Sequence, residues 1–518
     1  MLKGRQLDIT VDEIHFGTDG WRAIIGEDFN QRSVARVSAA AAKVFGLQKI
    51  ELQNSGSEDV ASDANTILIG YDCRRDAGRY AALVATVLAD AGFDVLVSDR
   101  YCPTPALCWT IAHNPAIIGG MMLTSSHNPA EYLGIKLRMQ DGGASPKQFT
   151  DEVELALVDE LPACFDEAVA AFEAAVNGTP EHPAAPLAEA PRLRFGDIME
   201  TYLAALLHMV DDDVIRKAGL KIVLDPMYGA GRSYLAGLFE ALGVEVVEVN
   251  GDNDPSFNGL HPEPILPWVE VGADKVAELG YDACFITDGD ADRIGAIDDT
   301  GSYVSSHRIL TLLIGHLVAN HGKTGRVVRT QAGSSLLKRQ CERLKLELTT
   351  KPIGFKWIYE EMLKGGVLIG GEESGGMGIP SHVRERDGLL MSLLVSELMA
   401  VEGKNLRELV EALLAELGVL EYARRDLKLT QGQKDAFLAT HVFSGAVGRE
   451  HYQELFDAVN EQVIEVNKGD GIKFSLASDA WLLIRPSGTE PLVRVYAEAA
   501  SMEQVEALLD IGCALAKG

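Results

Sequence analysis

Cysteine is sparse in this chain and follows no pairing pattern. The seven in 518 residues, Cys73, Cys102, Cys108, Cys164, Cys284, Cys341 and Cys513, are scattered, odd in number and free of any Cys-x-x-Cys spacing. That pattern argues against a zinc site and a disulfide framework, and makes a reducing cytoplasm the expected compartment. Positive charge is also in deficit: 47 Lys and Arg stand against 76 Asp and Glu, a formal net charge of -29. Nucleic acid and anionic membranes both require a basic face, so neither is an expected partner. No uninterrupted apolar run is long enough to span a bilayer, and the first residues, Met1-Leu2-Lys3-Gly4-Arg5-Gln6-Leu7-Asp8, lack the apolar centre of a secretory signal. Nothing in the pattern implies an obligate protein partner. The net charge would also repel a phosphorylated ligand, but screening confines that repulsion to about 8 Å at physiological salt, so local Arg and Lys residues would have to do the binding.

What is present is an ordinary globular composition, 47% hydrophobic and 24% charged. A chain of 518 residues is several times a typical domain, so two to four domains are expected. Strand-like and helix-like segments alternate: Thr66 to Gly70, then Gly78 to Ala91, then Phe93 to Val97. The alternation restarts at Leu220 to Leu224 and at Arg326 to Arg329, which predicts three similar α/β units without a close sequence repeat. An Ala-, Glu- and Pro-rich stretch from Ala163 to Pro191 reads as a helix followed by a connector, and a charged strand over Arg424 to Lys428 opens a smaller last piece. The expected division is 1–195, 196–303, 304–421 and 422–518.

Four loops carry chemistry. Thr124-Ser125-Ser126-His127-Asn128-Pro129 ends the apolar run Ile117 to Leu123, so a hydroxyl is held at a strand end in one orientation. Alone, this would be a Ser/Asn turn. Asp288-Gly289-Asp290-Ala291-Asp292-Arg293 follows the run Ala283 to Ile286, and its alternate carboxylates suit a hard cation, Mg²⁺ above all. A calcium-binding EF-hand loop is excluded, because Arg293 occupies the invariant glycine position and Asp299 the place of the bidentate glutamate. Gly370-Gly371-Glu372-Glu373-Ser374-Gly375-Gly376 offers acceptors and donors suited to sugar hydroxyls. Arg485-Pro486-Ser487-Gly488-Thr489-Glu490-Pro491, with Arg494, offers a phosphate cradle of charge-assisted donors, where the plain alternative is a hairpin turn.

Together these runs, with His15-Phe16-Gly17-Thr18-Asp19-Gly20-Trp21-Arg22, resemble the α-D-phosphohexomutase superfamily over nearly the whole chain. The resemblance implies four domains around a central cleft, three mixed-sheet α/β units and a smaller α+β C-terminal domain. It implies a phosphoprotein: Ser126 carries a phosphate, Mg²⁺ bridges Ser126, Asp288, Asp290 and Asp292, and the phosphoryl group passes to a hexose monophosphate through a hexose 1,6-bisphosphate, which also serves as activator. Lys136 matches a family lysine and can act as a base if burial lowers its pKa. Arg22 matches an active-site residue suited to charge stabilisation, and His127 a supporting histidine in the loop. Substrate contacts are implied for Arg293, Gly354, Lys356, Glu372, Ser374, His382, Arg386, Arg485, Ser487, Gly488, Thr489 and Arg494. Gly376 stands where mannose- and glucosamine-type members often have His. By contrast Gly354-Phe355-Lys356-Trp357 and His382-Val383-Arg384-Glu385-Arg386-Asp387-Gly388 resemble glucose-type phosphoglucomutases, with Arg386 replacing a lysine.

The expected activity is therefore a Mg²⁺-dependent phosphoglucomutase. Its alternatives are a phosphomannomutase or phosphoglucosamine mutase, a hexose bisphosphate synthase that releases the intermediate, and a non-catalytic sugar-phosphate sensor.

Overall fold

The computed structural model describes residues 14–55, 61–180, 182, 184, 192–443, 448–486 and 492–518. These form two compact units, one of residues up to Ser306 with 362–365 and 374–407, the other of 307–361, 366–373 and 408–518. Four sheets organise them.

In the first unit, a six-stranded sheet is built around Thr66–Tyr71, flanked in parallel by Asp94–Ser98 and Ile117–Leu123. Isoleucine, methionine and leucine flank two glycines in Ile117–Leu123, and every one of its residues is buried, as expected of a strand covered by helices on both faces. It pairs antiparallel with Tyr132–Met139, which pairs antiparallel with Trp21–Ile24, so the sheet is mixed. The segment between Ile117–Leu123 and Tyr132–Met139 is short and holds Ser126. A second mixed sheet, of five strands, places Ala283–Thr287 between Lys221–Asp225 (parallel) and Ile294–Asp298 (antiparallel). The acidic loop is the connection from Ala283–Thr287 into Ile294–Asp298. Ser126 and the three aspartates thus follow the carboxyl ends of apolar strands, where open α/β sheets present ligand-binding groups.

The helix Gly388–Glu402 also belongs to the first unit. Its sequence is apolar nearly all round and most of it is buried; Asp387 caps it by accepting from Leu390 N at 2.9 Å, and Gly403, at φ 61°, ends it. This helix brings His382 and Arg386 with it.

In the second unit, Arg326–Thr330 pairs in parallel with Leu348–Lys351 and Val367–Gly371. The last sheet is antiparallel throughout, in the order Glu421–Lys428, Leu492–Ala499, Trp481–Pro486, Ile472–Leu476, Val463–Asn467. Alternate residues of the strands, among them Leu482, Ile484, Val493 and Val495, pack with Val505, Leu508 and Leu509 of the helix Met502–Lys517. Three α/β sheets followed by an antiparallel C-terminal domain match the expected fold class.

Six of the cysteines are buried, and Cys513 is half-buried. Burial pushes the Cys102 thiol up to about 12 and those of Cys164 and Cys341 up to about 11. No described helix is long and apolar enough to cross a membrane.

Candidate active site

The Ser126 hydroxyl donates to Asp288 Oδ2 at 2.7 Å. Ser126 adopts φ 49°, a left-handed conformation uncommon for serine. Its amide donates to Thr124 Oγ1 at 2.8 Å, and that hydroxyl donates to Asp72 Oδ2 at 2.6 Å. His127 Nδ1 lies 3.4 Å from Ser126 Oγ, and Arg22 Nη1 donates to Asn128 Oδ1 at 2.5 Å. The neighbouring Ser125 hydroxyl is buried and has no hydrogen-bond partner among the described residues.

Asp288, Asp290 and Asp292 are all buried, and one oxygen from each lies within 4.8 Å of the others. The loop has no room for a side chain at its second position: a Cβ on Gly289 would stand 2.4 Å from the Ser126 carbonyl. Burial pushes the Asp288 carboxyl well above the usual range, and the charges of Asp292 and Asp290 add to the effect. Burial acts on Asp290 in the same sense but is outweighed by Lys136 and the Thr104 hydroxyl, which donates at 2.5 Å, so this carboxyl lies below the usual range. Burial and the Asp290 charge raise Asp292. Asp290 Oδ1 and Asp292 Oδ1 are buried without hydrogen-bond partners among the described residues. Crowded carboxylates, with two oxygens unsatisfied, fit a hard divalent cation held by these three residues.

Lys136 projects from the strand Tyr132–Met139, and its ammonium reaches Asp290 at 2.7 Å and Asp292 and Asp19 at 3.0 Å. Its acting as a base is conditional on burial lowering its pKa, and two effects compete there. Burial does favour the neutral amine, but Asp19, Asp290 and Asp292 together outweigh it and raise the pKa, so Lys136 is a held cation in this arrangement.

Arg386 is buried, with Nη2 at 2.7 Å from Asp19 and 2.9 Å from Asp292, and Nε at 2.9 Å from Glu385. Arg138 pairs with Asp19 at 2.8 Å and with Glu385 at 2.9 Å. Asp19, quoted above only as part of a motif, therefore serves three cations. Burial pushes its carboxyl up, but Arg138, Lys136 and Arg386 bring it well below the usual range. Arg293 places Nη1 at 3.4 Å from Glu263, and it bridges in antiparallel fashion to Gly376 beyond Ser374. His382 Nε2 lies 3.1 Å from Asp387, which also accepts from the Tyr202 hydroxyl at 2.9 Å.

The structure thus brings Ser126, His127, Arg22, Lys136, Asp288, Asp290, Asp292, Arg293 and Arg386 into one cluster, and Asp19, Thr104 and Glu385 join it unannounced. The signal for Asp19 and Glu385 would have been a charge needing a partner, which sequence shows only as a charged letter near apolar ones, and the Thr104 hydroxyl carries no such signal.

Gly354, Lys356, Glu372, Arg485 and Arg494 lie in the second unit. There Arg485 Nε donates to both oxygens of Asp470 at 3.0 Å, and Arg494 stands opposite Arg485 on the next strand. Lys356 Nζ lies 5.0 Å from the centroid of the Trp357 ring. Ser487, Gly488 and Thr489 lie outside the described residues.

Three α/β domains, an antiparallel C-terminal domain and a hydroxyl aimed at a carboxylate cluster that could hold a cation define an enzyme of the α-D-phosphohexomutase superfamily. Comparison with known proteins narrows this: the chain belongs to the phosphoglucomutase/phosphomannomutase family, whose alpha/beta/alpha domains I, II and III match residues 13–160, 200–301 and 305–417 and whose C-terminal domain matches 449–511. It is 29% identical to a phosphoglucomutase/phosphomannomutase of Thermococcus kodakarensis, over 96% of this chain and 98% of that one. It is 28% identical to a phosphoglucosamine/phosphogalactosamine mutase of Sulfurisphaera tokodaii, over 93% and 95%. A crystal structure from Thermus thermophilus, of a protein assigned as a phosphomannomutase, superposes with a TM-score of 0.78 at 31% identity, covering 98% of this chain and 99% of that one.

Proposed function

We propose that the protein interconverts hexose 1-phosphate and hexose 6-phosphate in the cytoplasm, with Ser126 as phosphoryl carrier, and that glucose is the preferred sugar. The observation that carries this reading is the Ser126 hydroxyl on Asp288 at the edge of the three-carboxylate cluster. A free sugar hydroxyl attacks the phosphorus of phosphorylated Ser126, the bond to Ser126 Oγ breaks, and Ser126 regains the proton that the sugar hydroxyl loses. The hexose 1,6-bisphosphate then turns over and returns its other phosphate to Ser126 by the same exchange in reverse, and added bisphosphate activates the enzyme by phosphorylating Ser126. Asp288, Asp290 and Asp292 would hold Mg²⁺, which supplies charge to the transferring phosphoryl group. Lys136, ion-paired with Asp19, Asp290 and Asp292, and Arg22 would supply further fixed positive charge beside Ser126. Arg485 and Arg494 would grip the phosphate that is not transferred, aided by Ser487, Gly488 and Thr489, while Gly354, Lys356 and Glu372, and Ser374 of the first unit, would meet the sugar. Arg293, His382 and Arg386 complete the substrate contacts.

Glucose rests on the resemblance of the Gly354 to Trp357 and His382 to Gly388 segments to glucose-type members. A second reading, a mannose or glucosamine phosphate, is favoured by the names of the relatives. A coupled assay on glucose, mannose and glucosamine 1-phosphates, with and without the matching bisphosphate, tests both. The highest kcat/KM on glucose 1-phosphate is expected; a higher value on another sugar transfers the assignment to it, and no turnover on any overturns the mutase reading.

A further inference from the structure

Arg74 follows the strand Thr66–Tyr71 and is wholly buried, although nothing in the sequence singled it out. Its guanidinium gives its donors almost entirely to the loop that carries Ser126. Nη2 donates to the carbonyls of Ser126 at 2.6 Å and Asn128 at 2.7 Å, and Nη1 to those of Pro129 at 2.8 Å and Tyr132 at 3.0 Å. Nε donates to Asp72 Oδ2 at 3.1 Å. All five donors of the planar fork are therefore directed. The Phe257 ring covers the guanidinium at 4.9 Å.

A structural ion pair would need only Asp72. Here four main-chain carbonyls between Ser126 and Tyr132 converge on one side chain. Asp72 in turn accepts from the Thr124 hydroxyl, which accepts the Ser126 amide, so the Asp72 and Arg74 pair holds both peptide planes flanking Ser126. The Ser126 carbonyl is confined on another side by Gly289 of the acidic loop, where a Cβ would come within 2.4 Å. A serine at φ 49° persists only when its surroundings over-determine it.

We propose that Arg74, paired with Asp72, is a positioning residue that fixes the backbone around Ser126 and so presents the Ser126 hydroxyl, and not that of Ser125, to the phosphoryl group. This rests on the reading of Ser126 as carrier. Lysine at this position retains charge but has a tetrahedral head that cannot serve four carbonyls and a carboxylate together.

The test compares Arg74→Lys with wild type, with rates expressed per mole of folded protein. Wild type incubated with glucose 1,6-bisphosphate should carry phosphate on Ser126 by peptide mass spectrometry. In Arg74→Lys, kcat should fall about a hundredfold, the scale of a misplacement near 1 Å, while KM for the hexose 1-phosphate stays within about twofold. Phosphate occupancy of Ser126 should fall with kcat. Should Arg74→Lys fail to fold, Asp72→Asn, which keeps the shape beside Nε and removes the paired charge, should lower kcat by roughly tenfold at constant KM. An unchanged kcat in whichever variant folds overturns the assignment, as does a loss confined to KM. Phosphate on Ser125 of wild type overturns this proposal and the carrier reading together, whereas phosphate on Ser126 of wild type with a fully active variant overturns this proposal alone.

Discussion

Ser126 and Asp288 stand 162 positions apart in the chain, yet their side-chain oxygens meet at 2.7 Å. The contact joins the end of one parallel strand to the end of another in a different sheet, and it sets a hydroxyl against a carboxylate that burial and its acidic neighbours keep well above the ordinary carboxylate range. A cation held by Asp288, Asp290 and Asp292 would relieve the mutual repulsion that raises this carboxyl.

Substitution separates the two adjacent hydroxyls. Ser126→Ala should abolish mutase turnover, because no other group would store the phosphate, whereas Ser125→Ala should keep appreciable activity since its hydroxyl touches no polar partner among the described residues. Steady-state rates with peptide mass spectrometry distinguish them, and an inactive Ser125→Ala with phosphate on Ser125 would reverse the assignment.

Asp290→Asn retains the shape that receives Thr104 and Lys136 but removes a charge held below the usual carboxylate range. The Mg²⁺ concentration for half-maximal activity should rise by on the order of tenfold or more, with a lower plateau. A Mg²⁺ titration that matches wild type would make the loop structural.

Arg485→Ala should reduce kcat/KM by about ten- to a hundredfold in both reaction directions, because one charge-assisted contact is worth roughly 1.5–3 kcal/mol. Asp470, which receives the guanidinium now, would be left without it. Equal efficiencies for Arg485→Ala and wild type, on both 1-phosphate and 6-phosphate, would place phosphate recognition elsewhere.

Acid should expose a buried histidine. Burial, with the Arg329 charge in the same sense, holds His307 down at about 3, where it packs edge-on to Tyr422. A histidine with a depressed folded pKa contributes stability that is present above its unfolded value of about 6.5 and is lost as pH falls from there toward about 3, by up to about 1.4 kcal/mol per pH unit. His307→Phe does not titrate, so the difference in Tm between variant and wild type should move steadily in favour of the variant below about pH 6.5. A difference independent of pH would show that the imidazole charges freely in the folded protein.

The parts that sequence made legible share one property: their signal is local. Ile117–Leu123 announces a covered strand by composition, and Asp288, Asp290 and Asp292 announce a cation by spacing within a single loop. What sequence concealed is made of distant pairs. Asp19 and Arg386 meet at 2.7 Å across 367 positions, and neither letter predicts the other. Lys136 shows the same limit in its charge state: burial was foreseeable, but the carboxylates that overrule it come from separate segments. Arg386, which stands in place of a lysine, likewise has a fork shared among Asp19, Asp292 and Glu385, none of which its own position in the sequence predicts.

The burial of six of the seven thiols has a practical consequence. Alkylating reagents and maleimide dyes attack thiolates, and a thiol held near 11 or 12 inside a packed core offers almost none at neutral pH. Cys513, half-buried in the final helix, is then the natural point for attaching a single fluorophore or spin label to the native enzyme, without first stripping out the other cysteines.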